Sequence, residues 1–142
     1  MAVLSDLLVA PEQQTNAVLI SQRPAKQWTA AEWKGLSEIN FEQLWAILDK
    51  RPYDLSRLKQ FKTLTKSADG PWVIVFPHQL TRQIAGLPKE ALASISKAWA
   101  ASEEFRLDKL PEPDVFILLS DVHRLAVLAV KEKKALMLWV SL

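Results

Sequence analysis

Asp69-Gly70-Pro71-Trp72-Val73-Ile74-Val75-Phe76-Pro77 is the stretch on which the fold class turns. Its five central residues are consecutive, apolar and rich in β-branched and aromatic side chains. They show no alternation of apolar and polar positions, and the run is too short for a buried helix. Bounded by an Asp-Gly-Pro turn signal and a second proline, it reads as a short strand buried on both faces. Leu136-Met137-Leu138-Trp139-Val140 is a second run of the same kind. Two such strands, near 72–76 and 136–140, belong in one small sheet, with Ala17-Val18-Leu19-Ile20 a candidate third strand.

Outward from these runs the pattern is helical. Thr29 and Glu32 have the spacing of a capping box, with Trp28 and Trp33 in the positions of a hydrophobic staple. The same grammar recurs at Asn40, with Gln43 and the pair Ile39/Leu44, and at Asp54, with the pair Tyr53/Leu58. These signals predict helices near 30–36, 41–50 and 55–64. His78 to Leu87 fits a short helix, and Pro88 opens a longer one to about Glu104, with Leu92, Ile95 and Trp99 on one stripe. After the stiff Leu110-Pro111-Glu112-Pro113, Asp114 is placed to cap a helix ending near Lys133. Its buried stripe would be Val115, Leu118, Leu119, Val122, Leu125, Ala126 and Ala129. The expectation is a predominantly helical α+β protein, about six helices around a small sheet of two or three short strands.

Composition sets the limits. At 142 residues with 49% hydrophobic and 24% charged, the chain suits a single compact domain spanning 1–142, with about residues 1–27 its less ordered part. It has no cysteine, which excludes disulfides, thiol catalysis and thiolate zinc sites. Three isolated glycines cannot build a phosphate-binding loop, and no G-x-S-x-G, H-E-x-x-H or EF-hand spacing occurs. No cofactor or metal is expected. The opening MAVLSDLLVA has a leader's apolar character, but Asp6 interrupts it and no basic residue precedes it. No apolar run reaches the ~20 residues of a membrane span. A cytoplasmic protein is the expectation.

Few residues carry chemistry. His78 follows a strand end, and Glu103 lies near the end of an apolar stripe beside Trp99; together they are the candidates for a dispersed enzymatic site. His123 and Asp121 fall on opposite flanks of their helix and cannot form a pair. The segment from Lys50 to Lys66 holds six basic residues against one acidic, and on a helix Lys59, Lys62 and Lys66 would share a face suited to phosphates. The net charge of +2 argues against a general nucleic-acid binder. On the back of the 114–133 helix, Ile117, Asp121, Arg124 and Leu128 cluster opposite the main stripe, the mixed composition of a protein interface. The leading expectation is therefore a non-enzymatic protein that binds another protein, or a second copy of itself, as an accessory, immunity or antitoxin-like factor does. Nucleic-acid binding through 50–66 is the first alternative, and a small enzyme near His78 and Glu103 the second. The six tryptophans all receive structural places in this reading.

Overall fold

The computed structural model describes residues 3–142, and the two buried runs lie side by side in it. They are two strands of five rather than two of three. In chain order the strands are β1 (Leu4–Ala10), β2 (Thr29–Lys34), β3 (Lys62–Thr65), β4 (Trp72–Val75) and β5 (Ala135–Ser141). They form one antiparallel sheet in the order β2-β1-β5-β4-β3. The helices are α1 (Thr15–Ile20), α2 (Glu38–Leu48), α3 (His78–Ala85), α4 (Leu92–Ala100), α5 (Glu103–Asp108) and α6 (Glu112–Glu132), with short 3-10 turns between them. The α+β class holds; the small sheet does not.

Three strands escaped the sequence reading, each for its own reason. The segment 29–34 carries a helical start signal, yet it pairs with β1 from Val9–Thr29 to Leu4–Lys34. Tertiary pairing outweighs a local propensity of a few tenths of a kcal/mol per residue. Trp28 and Trp33 consequently serve opposite faces of the sheet instead of stapling one turn. The expected 55–64 helix is a 3-10 turn over Leu55–Gln60, after which the chain extends into the edge strand β3. The N-terminal stretch, read as the less ordered part, supplies in β1 a strand bonded on both sides. Met1 and Ala2 lie outside the described residues. The candidate strand at 17–20 is instead part of α1.

Both faces of the sheet are covered, and this is why β4 and β5 have unbroken apolar runs. Leu7, Val9, Ile74, Leu136 and Leu138 point toward the helical layer, where α6 lays down its stripe from Val115 to Ala129. Leu8, Ala10, Val73, Val75, Met137 and Trp139 face the other way, against Val18 and Leu19 of α1. The helical side is aromatic at its centre. Phe41 stacks obliquely on Phe76 and Trp99, at 4.7 and 5.6 Å between ring centroids, and Trp99 meets Phe105 edge-on at 5.0 Å.

Helix ends explain the remaining differences. The cap of α2 is Ser37 and not Asn40; Asn40 sits one turn inside, where its Oδ1 accepts the Ser37 amide at 2.9 Å. The long helix expected from Pro88 breaks at Ala101–Ser102 into α4 and α5, which turns Phe105 back onto Trp99. Helix α6 begins at Glu112, with Pro113 in the first turn, where a missing N–H costs nothing. It ends at Lys133, whose left-handed φ of 56° sends the chain back into the sheet as β5.

Trp99 is the hub of the aromatic cluster: wholly buried, it donates its indole N–H to the Asn40 carbonyl at 2.8 Å. Trp99→Ala is expected to destabilise the protein by about 3–5 kcal/mol in urea unfolding. Trp99→Phe should cost clearly less, because most of the ring contacts survive. A stability unchanged by Trp99→Ala would contradict this assignment.

Candidate functional site

Helix α6 has two apolar faces. The first, from Val115 to Ala129, is buried as expected. The second faces solvent and holds Phe116, Ile117, Val127 and Val130, each between 41% and 53% exposed. Arg124 lies among them, also exposed. Of the sequence-predicted interface, Ile117 and Arg124 are on this outer face. Asp121 and Leu128 turn instead toward the protein. Asp121 accepts the Trp33 indole N–H of β2 at 2.9 Å, and Arg124 reaches its other oxygen at 3.5 Å. Leu128 is half-buried against the core. The helix back is thus split by β2, which the sequence reading did not place there.

Phe116, Val127 and Val130 were missed. Their signal was present, because Pro113, Phe116, Ser120, His123, Val127 and Val130 recur at intervals of three and four along the helix. That is the spacing of a helix seam. It was hidden by the stronger buried stripe on the opposite side.

The basic segment is largely neutralised at its root. Glu42 of α2 is fully buried and takes Arg51 through its two terminal guanidinium nitrogens at 2.6 and 3.1 Å, the Asp54 amide at 3.1 Å, and Arg57 at 3.7 Å. The Arg57 guanidinium lies over the Trp45 ring, 4.1 Å from its centre. Trp45 in turn donates to Gln83 of α3, which donates to Asp49, both at 2.7 Å. This network ties the 49–60 segment, which has little regular structure, to two helices. The carboxylate of Glu42 holds the Arg51 guanidinium above its ordinary pKa, burial opposing in part. The Ser56 hydroxyl and amide hold the Asp54 carboxyl below its ordinary range, and Asp54 thereby caps the 55–60 turn. Burial first, and then neighbouring acids led by Glu42, raise the Tyr53 hydroxyl.

Lys59, Lys62 and Lys66 do not share a helix face. Lys59 lies in the last turn of the 3-10 segment, Lys62 opens β3 and lies 3.7 Å from Glu12, and Lys66 follows the strand. Lys62, the charged residue of a fully exposed edge strand, also discourages edge-to-edge pairing with another sheet.

The two residues of the dispersed enzymatic reading are apart. His78 begins α3, with Nε2 3.0 Å from Glu12, and lines a groove with Thr81, Arg82, Val130, Lys133 and Lys134. Glu103 is exposed at the start of α5, beside Arg106 and Leu107. His123 is half-buried, with Nε2 3.0 Å from the Leu87 carbonyl oxygen. Among the described residues, no three His, Asp or Glu side chains gather into a metal-holding group, and no helix is long and apolar enough to cross a membrane. Comparison with family models, with curated proteins and with solved structures finds no match.

Two outcomes follow from the Glu42 network. Glu42→Ala leaves Arg57 without its acid and Arg51 with only Asp49, at 3.5 Å, at sites that water partly reaches, and should cost about 2–3 kcal/mol in denaturant unfolding. Amide exchange should accelerate first in 49–60, and an unaltered exchange pattern there would contradict the anchoring role. Because the Asp54 pKa is lowered on folding, its capping contribution is complete above its unfolded value and lost as pH falls through the folded one. The Ser56 amide resonance should therefore titrate below the ordinary carboxylate range, and should not do so in Asp54→Asn.

Proposed function

We propose that this protein acts by binding a protein partner through the outer face of α6. The observation that carries the reading is the exposure of Phe116, Ile117, Val127 and Val130 on one 21-residue helix, around Arg124. Single exposed apolar residues are ordinary, but Phe116, Val127 and Val130 fall within about 60° of one another on the helix, with Arg124 and Ile117 beside them, and such a group rimmed by charge marks a surface that another molecule covers. The remaining large exposed apolar residues, such as Leu55, Leu107 and Leu142, are scattered through the chain. Separation of His78 from Glu103 weighs against catalysis, and the engagement of Arg51 and Arg57 by Glu42 weighs against a nucleic-acid track.

Phe116→Asp and Val127→Asp are exposed changes and should leave the thermal melting curve within a few degrees of wild type. Each should abolish retention of whatever protein, this one included, the wild-type chain captures from extracts of its source cells. If both variants fold and capture the same proteins as wild type, α6 is not the docking surface.

A further inference from the structure

We infer that the occupant of the α6 outer face is a second copy of this chain, packed antiparallel about a two-fold axis; the inference rests on the docking role proposed above. Its basis is that the face is complementary to itself in shape and in charge. In an antiparallel pair centred between Asp121 and Val122, residues equally distant from that midpoint come opposite one another. Phe116 then meets Val127 of the second copy, Pro113 meets Val130, and Ser120 meets His123. Large apolar side chains thus lie toward both ends, and where the helices cross small Ser120 faces His123, which is half-buried and held to the Leu87 carbonyl oxygen of its own chain. The Ser120 hydroxyl already donates to the Phe116 carbonyl at 2.8 Å, so it needs no partner across the seam. The three-and-four spacing is that of helices packing at a shallow angle.

Charge follows the same symmetry. The first turn of α6 carries Glu112 and Asp114, and its end carries Lys131 and Lys133. An antiparallel two-fold keeps each flank of the seam on its own side, so Glu112, on the flank of Val130, comes level with Lys133 of the second copy, while Lys131 lies on the other flank. That places Glu112 at the mouth of the second copy's groove, lined by His78, Arg82, Lys133 and Lys134. Glu112, Asp114, Arg82, Lys131 and Lys133 have no ion-pair partner among the described residues. A parallel pair would set acid on acid and base on base, and would be disfavoured at both ends.

The test is a charge exchange read by sedimentation velocity over a concentration series, with circular dichroism melts to confirm folding. Wild type should sediment as a reversible dimer. Glu112→Lys and Lys133→Glu should each weaken self-association about tenfold or more, since each converts two attractive pairs into repulsive ones. An equimolar mixture of these two variants should recover wild-type affinity as a heterodimer, and so should the doubly exchanged chain. A wild-type dimer indifferent to both charge variants would overturn the antiparallel arrangement. A wild type monomeric throughout the series would overturn self-association. If Phe116→Asp still abolished capture of another protein in that case, the docking role of α6 would stand with a different occupant. Capture that survived Phe116→Asp would remove both.

Discussion

The pairing of the first strand with the last is the constraint on which the rest of this structure depends. From Leu4 opposite Ser141 to Ala10 opposite Ala135, β1 and β5 are bonded along their full length at the heart of the sheet. Every other strand adds to one side or the other of that pair. Helix α6 is connected directly to β5 and lies across β1, so its buried stripe has a surface only once this pair exists. Closing so long a loop costs entropy, though the cost grows only slowly with length. Burial of Leu7, Leu8, Leu136, Met137 and Leu138, all inaccessible to solvent, offsets it.

That pairing also draws polar groups inside. Asp6 is completely buried beside Trp139 and Glu32 in the sheet, and Arg23 meets both of its carboxylate oxygens at 3.2 Å while reaching Glu32 at 3.0 Å. The Asp6 carboxylate holds the Arg23 guanidinium above its ordinary pKa, against the opposing effect of desolvation. Ser5, on the opposite face, accepts the Leu36 amide at 3.0 Å. Asp6 with Arg23 and Glu42 with Arg51 play the same part. Each is a buried acid that fixes a segment of little regular structure by an arginine whose stem packs and whose head stays near water. Such pairs contribute little net stability against an apolar alternative, but breaking one strands a charge in the interior.

The proposed docking role rests on which surfaces this arrangement leaves uncovered. The sheet is sheltered on both faces, and its edge at β3 is exposed and begins with a lysine. Helix α6, packed against α3, α4 and β1 on one side, presents its second apolar face outward. A helix with two apolar faces and one layer of neighbours has more apolar surface than its own fold can bury. The docking role proposed for α6 answers that imbalance.

The elements legible in the residues alone are those with a burial signal of their own, either a helical period or an unbroken apolar run. These are the α6 stripe from Val115 to Ala129 and the two strands at Trp72–Val75 and Ala135–Ser141. The sequence also marked Asp54 as a cap and placed Trp45, Trp99 and Trp139 in the interior. Of the interface residues, Ile117 and Arg124 were legible as outward-facing, while Asp121 and Leu128 were not, because Trp33 of β2, which donates to Asp121, and the core against which Leu128 packs are brought there from elsewhere in the chain. Tertiary structure alone decided that 29–34 is a strand, that β1 lies at the centre, and that Arg51 and Arg57 are committed to Glu42. The reason is physical: a helix announces itself through neighbours three and four residues apart, whereas a strand's identity depends on a partner that no local pattern names.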